Sequence, residues 1–100
     1  MSRDLHPTDG ARYLLELDAE LNAGSAARYR ATVFTPDAMM ATVLTLQDDG
    51  TVTLADGTEP VASPYMATLL TFAKLTARAT PKRRQDEMPA WPTRVLRWRR

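Results

Sequence analysis

Arginines, lysines and tryptophans are interleaved in residues 82–100. The set comprises Lys82, Arg83, Arg84, Trp91, Arg94, Arg97, Trp98, Arg99 and Arg100. Cationic groups neutralise phosphates and aromatic rings stack on unpaired bases, so proteins that bind single-stranded nucleic acid combine these residue types. The same cations would also suit an acidic protein partner. Alternatively, the tryptophans belong to the core and the arginines only solvate a strand. We therefore take this set as the candidate contact surface.

The two signs of charge are segregated along the chain, although the formal net charge is only +1. Residues 1–72 hold four basic and ten acidic side chains, whereas residues 73–100 hold nine basic and two acidic ones. Such asymmetry indicates a polyanion or an acidic surface as the partner of the basic end. The acidic part of the same molecule, or of a second copy, would serve equally well.

Catalytic groups are scarce. His6 is the only histidine, there is no cysteine, and no serine lies in a Gly-x-Ser-x-Gly setting. The sequence therefore shows no catalytic nucleophile with a histidine base of the kind that serine and cysteine hydrolases use. The four glycines are scattered and form no phosphate-binding loop. We therefore expect a protein that is not an enzyme and that uses no cofactor.

Acidic residues cluster at two places, and neither predicts a metal site. Asp48 and Asp49 precede Gly50 but lack the remaining ligands of a calcium loop, so a plain hairpin turn explains them. The other cluster alternates along one segment and suits the solvated face of a strand, with arginines on the neighbouring strand. Its members are Glu16, Asp18 and Glu20, with Arg28 and Arg30 opposite.

The chain length predicts one domain, at residues 11–100, with a basic arm at 82–100. Residues 1–10 are polar and predict a flexible leader. Without cysteines, a signal peptide or a long apolar run, we expect a cytoplasmic protein that does not contact a membrane.

Alternating apolar residues predict four antiparallel strands. Residues 11–23 alternate at period two, which indicates a strand, although their Ala, Leu and Glu content keeps a helix as the alternative. Two further strands are expected at 27–34 and 39–47. A three-residue loop at 48–50, with Gly50 left-handed, would place Leu46 opposite Val52 and start the fourth strand.

A helix and a fifth extended segment follow. Ser63 is expected to cap a helix with Pro64 at its first position, and an apolar stripe through Leu69 and Phe72 would cover the sheet. Pro81 should end the helix, and 82–90 should be a polar linker. Residues 93–99 alternate again, which predicts either a strand with Leu96 and Trp98 packed inward or a binding tail.

The expected fold is therefore α+β: a four-stranded antiparallel meander, one helix on a face, and a C-terminal strand or arm. For function, we expect a small interaction module that binds a protein partner or itself as a homodimer. The alternative is a nucleic-acid-binding accessory protein that acts through the arm.

Overall fold

The computed structural model describes residues 5–100. It contains one antiparallel sheet of five strands: β1 (Ala11–Leu21), β2 (Ala26–Phe34), β3 (Met39–Gln47), β4 (Val52–Leu54) and β5 (Arg94–Arg99). The spatial order is β4-β3-β2-β1-β5. Two helices, α1 (Tyr65–Arg78) and α2 (Thr80–Gln85), lie between β4 and β5 in the chain. The predicted α+β fold is confirmed, and the C-terminal segment is a fifth strand of the same sheet.

Strand β1 confirms the period-two interpretation of its sequence. Tyr13, Leu15 and Leu17 point to the face that α1 covers, where Tyr13 and Leu15 are buried. A bulge between Leu17 and Ala19 then shifts the register by one residue. Because a one-residue shift exchanges the faces, Glu20 lies opposite the buried Ala27 and does not share a face with Glu16. The predicted acidic row is therefore broken.

The β3–β4 hairpin has the predicted register, in which Leu46 pairs with Val52 and Leu44 with Leu54. Gly50 has a φ of 95°, a left-handed conformation that glycine adopts without strain. The side chain of Asp49 accepts a hydrogen bond from the amide of Thr51 at 2.9 Å. Hydrogen bonds from Thr51 lower the pKa of Asp49 below its usual value. The turn is fully explained by these local interactions.

Helix α1 covers the sheet with the predicted stripe. Its buried residues are Leu69, Phe72, Ala73, Thr76 and Ala77. The predicted start is wrong in detail, because Pro64 occupies the N-cap position and no side chain caps the helix. The predicted linker is also partly wrong: Pro81 sits in the first turn of α2, where a missing amide costs nothing, and the chain stays helical to Gln85. Helices α1 and α2 together form one bent helical segment.

Strand β5 pairs with the outer edge of β1, which confirms the packed-strand interpretation of the arm. Its side chains, however, face the opposite way from the expectation. Val95 pairs with the core residue Leu15 and is 9% exposed, whereas Trp98 lies on the uncovered face and is 47% exposed. The register with β1 decides this orientation, and it places Arg97 and Arg99 on the helix side.

Candidate protein interface

The edge of β5 has unpaired backbone groups. The amide of Leu17 donates to the carbonyl of Thr93 at 3.0 Å, which fixes the phase of the antiparallel ladder. Alternate residues of β5 therefore direct their backbone groups towards β1, and Arg94, Leu96 and Trp98 direct theirs outward. Within residues 5–100, the only hydrogen bond to these outward groups is from the Arg97 guanidinium to the Leu96 carbonyl, at 3.0 Å.

A small cavity lies beside this edge, between α1 and β5, with a volume of about 160 Å³. Five of its eight lining residues are apolar. One of them, Leu75, is a large aliphatic residue of α1, yet its side chain is 57% exposed. The lining residues are Phe72, Leu75, Thr76, Ala79, Arg83, Pro92, Val95 and Arg97. The sheet edge and the apolar cavity together form what we call the β5 groove.

Arginines border the β5 groove. The Arg99 guanidinium lies over the Phe72 ring, 5.1 Å from its centroid, at one end. Arg83 lines the cavity beside Pro92 at the other end and donates to the carbonyl of Pro89 at 2.6 Å. Arg97 lies between them. The groove is therefore apolar in the middle and cationic along its length.

The predicted contact residues divide into two groups. Arg94, Arg97, Trp98, Arg99 and Arg100 belong to β5 or follow it directly, and Lys82, Arg83 and Arg84 belong to α2; Trp91 lies between the two elements. Arg83 and Arg97 both line the cavity, which lies between the two groups.

Several predicted contact residues already have partners within the molecule. Lys82 pairs with Asp86 at 3.1 Å, and Arg84 pairs with Asp48 at 3.1 Å. Arg100 pairs with Asp9 at 2.9 Å. Every side chain in these three ion pairs is at least one-third exposed, so each pair contributes little to stability. Arg94 is exposed and has no ion pair in the described part of the chain.

Trp91 is not available as a surface contact. Its side chain is 1% exposed, its indole nitrogen donates to the carbonyl of Gly24 at 2.8 Å, and its ring lies 6.2 Å from that of Tyr29. The alternative weighed above, a tryptophan packed in the core, is the correct one for this residue. Trp98 alone offers an exposed indole ring, and its nitrogen donates to the carbonyl of Asp9 at 3.0 Å.

The described part of the leader contacts the sheet. His6 donates from Nδ1 to the carbonyl of Thr35 at 2.6 Å, and its ring meets Phe34 edge-on at 5.4 Å. Pro7 is buried, and Asp9 accepts from Trp98 and Arg100. Residues 1–4, which belong to the same predicted leader, lie outside the described residues.

A wider and shallower cleft crosses the uncovered face of the sheet, with a volume of about 590 Å³. It runs between the strands and the segment at 58–60, and it mixes charged, hydroxyl and aliphatic side chains. Arg30, Thr32, Val43, Glu16 and Glu59 are among its lining residues. It offers no unpaired strand edge, and its mixed walls do not favour one class of ligand.

Sequence reasoning found the arginines of the β5 groove but not its apolar half. The sequence does not mark Leu75 and Ala79 as contact residues, because a leucine on the outer side of an amphipathic helix is common on protein surfaces. The available signal was the departure of Leu75 from the buried stripe, three residues after Phe72.

Comparisons with family models, curated proteins and solved structures gave no match to this chain. Within residues 5–100, no helix is long and apolar enough to cross a bilayer.

Proposed function

We propose that this protein is a non-enzymatic interaction module that binds an extended, acidic segment of a partner protein as an additional strand on β5. The observation that carries this proposal is the apolar cavity directly beside an unpaired strand edge. In strand addition, backbone hydrogen bonds supply affinity and pockets for alternate side chains supply specificity. The β5 groove offers both within one site.

The charge of the groove supports an acidic partner. Arg97 and Arg83 line the cavity, Arg99 lies on the same side of β5, and Arg94 lies on its other side. Carboxylates on an incoming strand would lie one strand spacing away, about 4.8 Å, where opposite charges attract across neighbouring strands.

The same charges disfavour a homodimer through this edge. Since Arg94, Leu96 and Trp98 direct their backbone groups outward, two β5 strands can pair antiparallel about Leu96 or about Arg97. The second register places Arg97 opposite Arg97 and Arg94 opposite Arg100, and both registers bring the arginines of two copies onto neighbouring strands. Like charges directly opposite each other destabilise a strand pair. Arginine on an edge strand is thus expected to prevent self-association, as charged residues do on other exposed sheet edges.

Nucleic acid is the second candidate, and the exposed ring of Trp98 beside the Arg100 guanidinium favours it, at 5.7 Å. With Trp91 buried, only one ring of the predicted pair remains for base stacking. A single ring makes a small stacking platform, so we rank this function below strand addition.

The test uses a fluorescein-labelled heptapeptide in which threonines alternate with Glu, Leu and Glu (Thr-Glu-Thr-Leu-Thr-Glu-Thr). Its sequence is the same in both directions, so it can pair in parallel or antiparallel orientation. We expect saturable binding by the full chain in fluorescence anisotropy. N-methylation of one alternate set of amides should abolish binding, because only every second amide faces the neighbouring strand, and methylation of the other set should not.

The matched variants are Leu96→Pro and Leu96→Ala. Proline removes an amide that faces outward and is tolerated on an edge strand, so the first variant should fold but lose the peptide. The second keeps the amide and should bind. Circular dichroism shows whether each variant is folded. If Leu96→Pro does not fold, the two methylated peptides still test strand addition on the wild-type chain.

Equal binding of both methylated peptides would refute strand addition. Tighter, salt-sensitive binding of single-stranded DNA than of the heptapeptide would instead support the nucleic-acid function, since phosphate neutralisation gives a steep salt dependence.

A further inference from the structure

We infer that the cavity between α1 and β5 selects one medium-sized aliphatic side chain, flanked two residues away on each side by carboxylates. The partner motif is therefore acidic-x-aliphatic-x-acidic, where x is any strand-compatible residue. This inference rests on the proposed strand addition and specifies which sequences that site would accept.

The alternation of strand side chains places one partner residue in the cavity. Val95 and Arg97 line the cavity and lie on the helix side of β5. A partner residue alongside them on that same side would point between β5 and α1, whereas its two neighbours would point to the uncovered face beside Leu96 and Trp98. Only every second residue of the partner can therefore enter the cavity.

The volume of the cavity limits the size of that residue. It is about 160 Å³, and an engineered apolar cavity of about 150 Å³ holds benzene. A leucine or isoleucine side chain is of this size, whereas an indole is larger. Five of its eight lining residues are apolar, among them Phe72, Leu75 and Val95, which favours an aliphatic group; the other three are Thr76, Arg83 and Arg97.

The acidic positions follow from the strand repeat. Residues two apart on a strand are separated by about 6.6 Å and point to the same side. From the cavity, a step of this length along the groove reaches Arg99, which lies over Phe72, in one direction. The opposite step reaches the position beside Val95, where Arg83 lines the same cavity. Carboxylates at these two positions would each meet a guanidinium, the cation best suited to pair with a carboxylate.

The experiment compares heptapeptides that differ only in the motif, on the full chain. Replacing the central Leu by Ala should weaken binding about tenfold or more, because a buried leucine side chain loses most of its apolar contact. Replacing both Glu residues by Gln should weaken binding severalfold at low salt and less at high salt.

A variant of the protein tests the cavity itself. Ala79 lines the cavity and is exposed, so Ala79→Leu should fill it without disturbing the core. It should weaken binding of the Leu peptide about tenfold but leave the Ala peptide unchanged. The control is Ala67→Leu, at an exposed position of α1 outside the cavity, which should change neither.

The outcomes separate this inference from the proposed function. If the methylation pattern shows strand addition but the Leu and Ala peptides bind equally, the aliphatic selection is wrong and strand addition stands. The same conclusion follows if Ala79→Leu weakens both peptides equally. If no heptapeptide binds, or both methylated peptides bind alike, both proposals fail.

Discussion

The two tryptophans should differ sharply in their contribution to stability. Trp91 is 1% exposed and hydrogen-bonded to the carbonyl of Gly24, so Trp91→Ala creates a large cavity and removes one of the two donors to that carbonyl, the other being Arg84. Loss of a buried aromatic side chain typically costs about 3–5 kcal/mol. Trp98 is 47% exposed, and Trp98→Ala should cost about 1 kcal/mol, mostly from its contact with Asp9.

Thermal and urea unfolding, followed by far-ultraviolet circular dichroism, measure both costs without depending on tryptophan emission. For a domain of this size, about 4 kcal/mol lowers the melting temperature by roughly 15–30 °C, and 1 kcal/mol by about 4–8 °C. Since domains of this size are stabilised by about 5–15 kcal/mol in total, Trp91→Ala should come near to unfolding the protein.

Fluorescence provides an independent check on the same variants. Trp98→Ala leaves Trp91 as the only tryptophan, and its emission should shift to longer wavelength on unfolding. Folded Trp91→Ala should already emit like a solvated indole. Equal losses of stability in the two variants, or a larger loss for Trp98→Ala, would refute the assignment of Trp91 to the core and of Trp98 to the surface.

Three further predictions test other parts of the fold. Gly50→Val should cost about 1–3 kcal/mol in urea unfolding, because φ is 95° and a Cβ there would lie 3.0 Å from Cγ of Arg78. Phe72→Ala should cost about 3–5 kcal/mol and Lys74→Ala under about 0.5 kcal/mol, and equal melting temperatures would contradict the assigned helix face. Burial raises the pKa of Tyr29 above its usual value of about 10, so this tyrosine ionises more readily in the unfolded state than in the folded one. The free energy of unfolding should therefore fall as the pH rises above about 10. Over the same pH range, the urea midpoint of the Tyr29→Phe variant should fall less than that of the wild-type chain.

The hairpin between β3 and β4 could be predicted from the sequence because its determinants are local. The turn sequence fixes the loop length, and the loop length fixes which apolar residues face each other. Leu46 and Val52 can be paired by counting from Gly50 alone, and the structure pairs them so. The stripe on α1 is equally local, because it depends only on the helical repeat.

The bulge in β1 could not be predicted from alternation. Residues 11–23 alternate almost without interruption, and an extra residue in one strand is visible only when its partner is known. The bulge exchanges the faces after Asp18: Asp18 still pairs with Arg28 at 2.8 Å, as regular alternation predicts, whereas Glu20 turns to the other side of the sheet, opposite Ala27. Contacts of this kind depend on residues ten or more positions away.

The orientation of β5 was mispredicted for a reason that bears on the candidate site. Leu96 and Trp98 are more apolar than Arg97 and Arg99, so pattern alone favours burying the tryptophan. The register with β1 instead places both arginines on the helix side, where α1 covers Val95 but leaves the cavity beside it open. Charged side chains can lie on the helix side of the sheet only where the helix leaves them access to solvent. Natural sequences depart from consistent patterning mainly at functional sites, and this departure coincides with the unpaired edge and the cavity of the β5 groove.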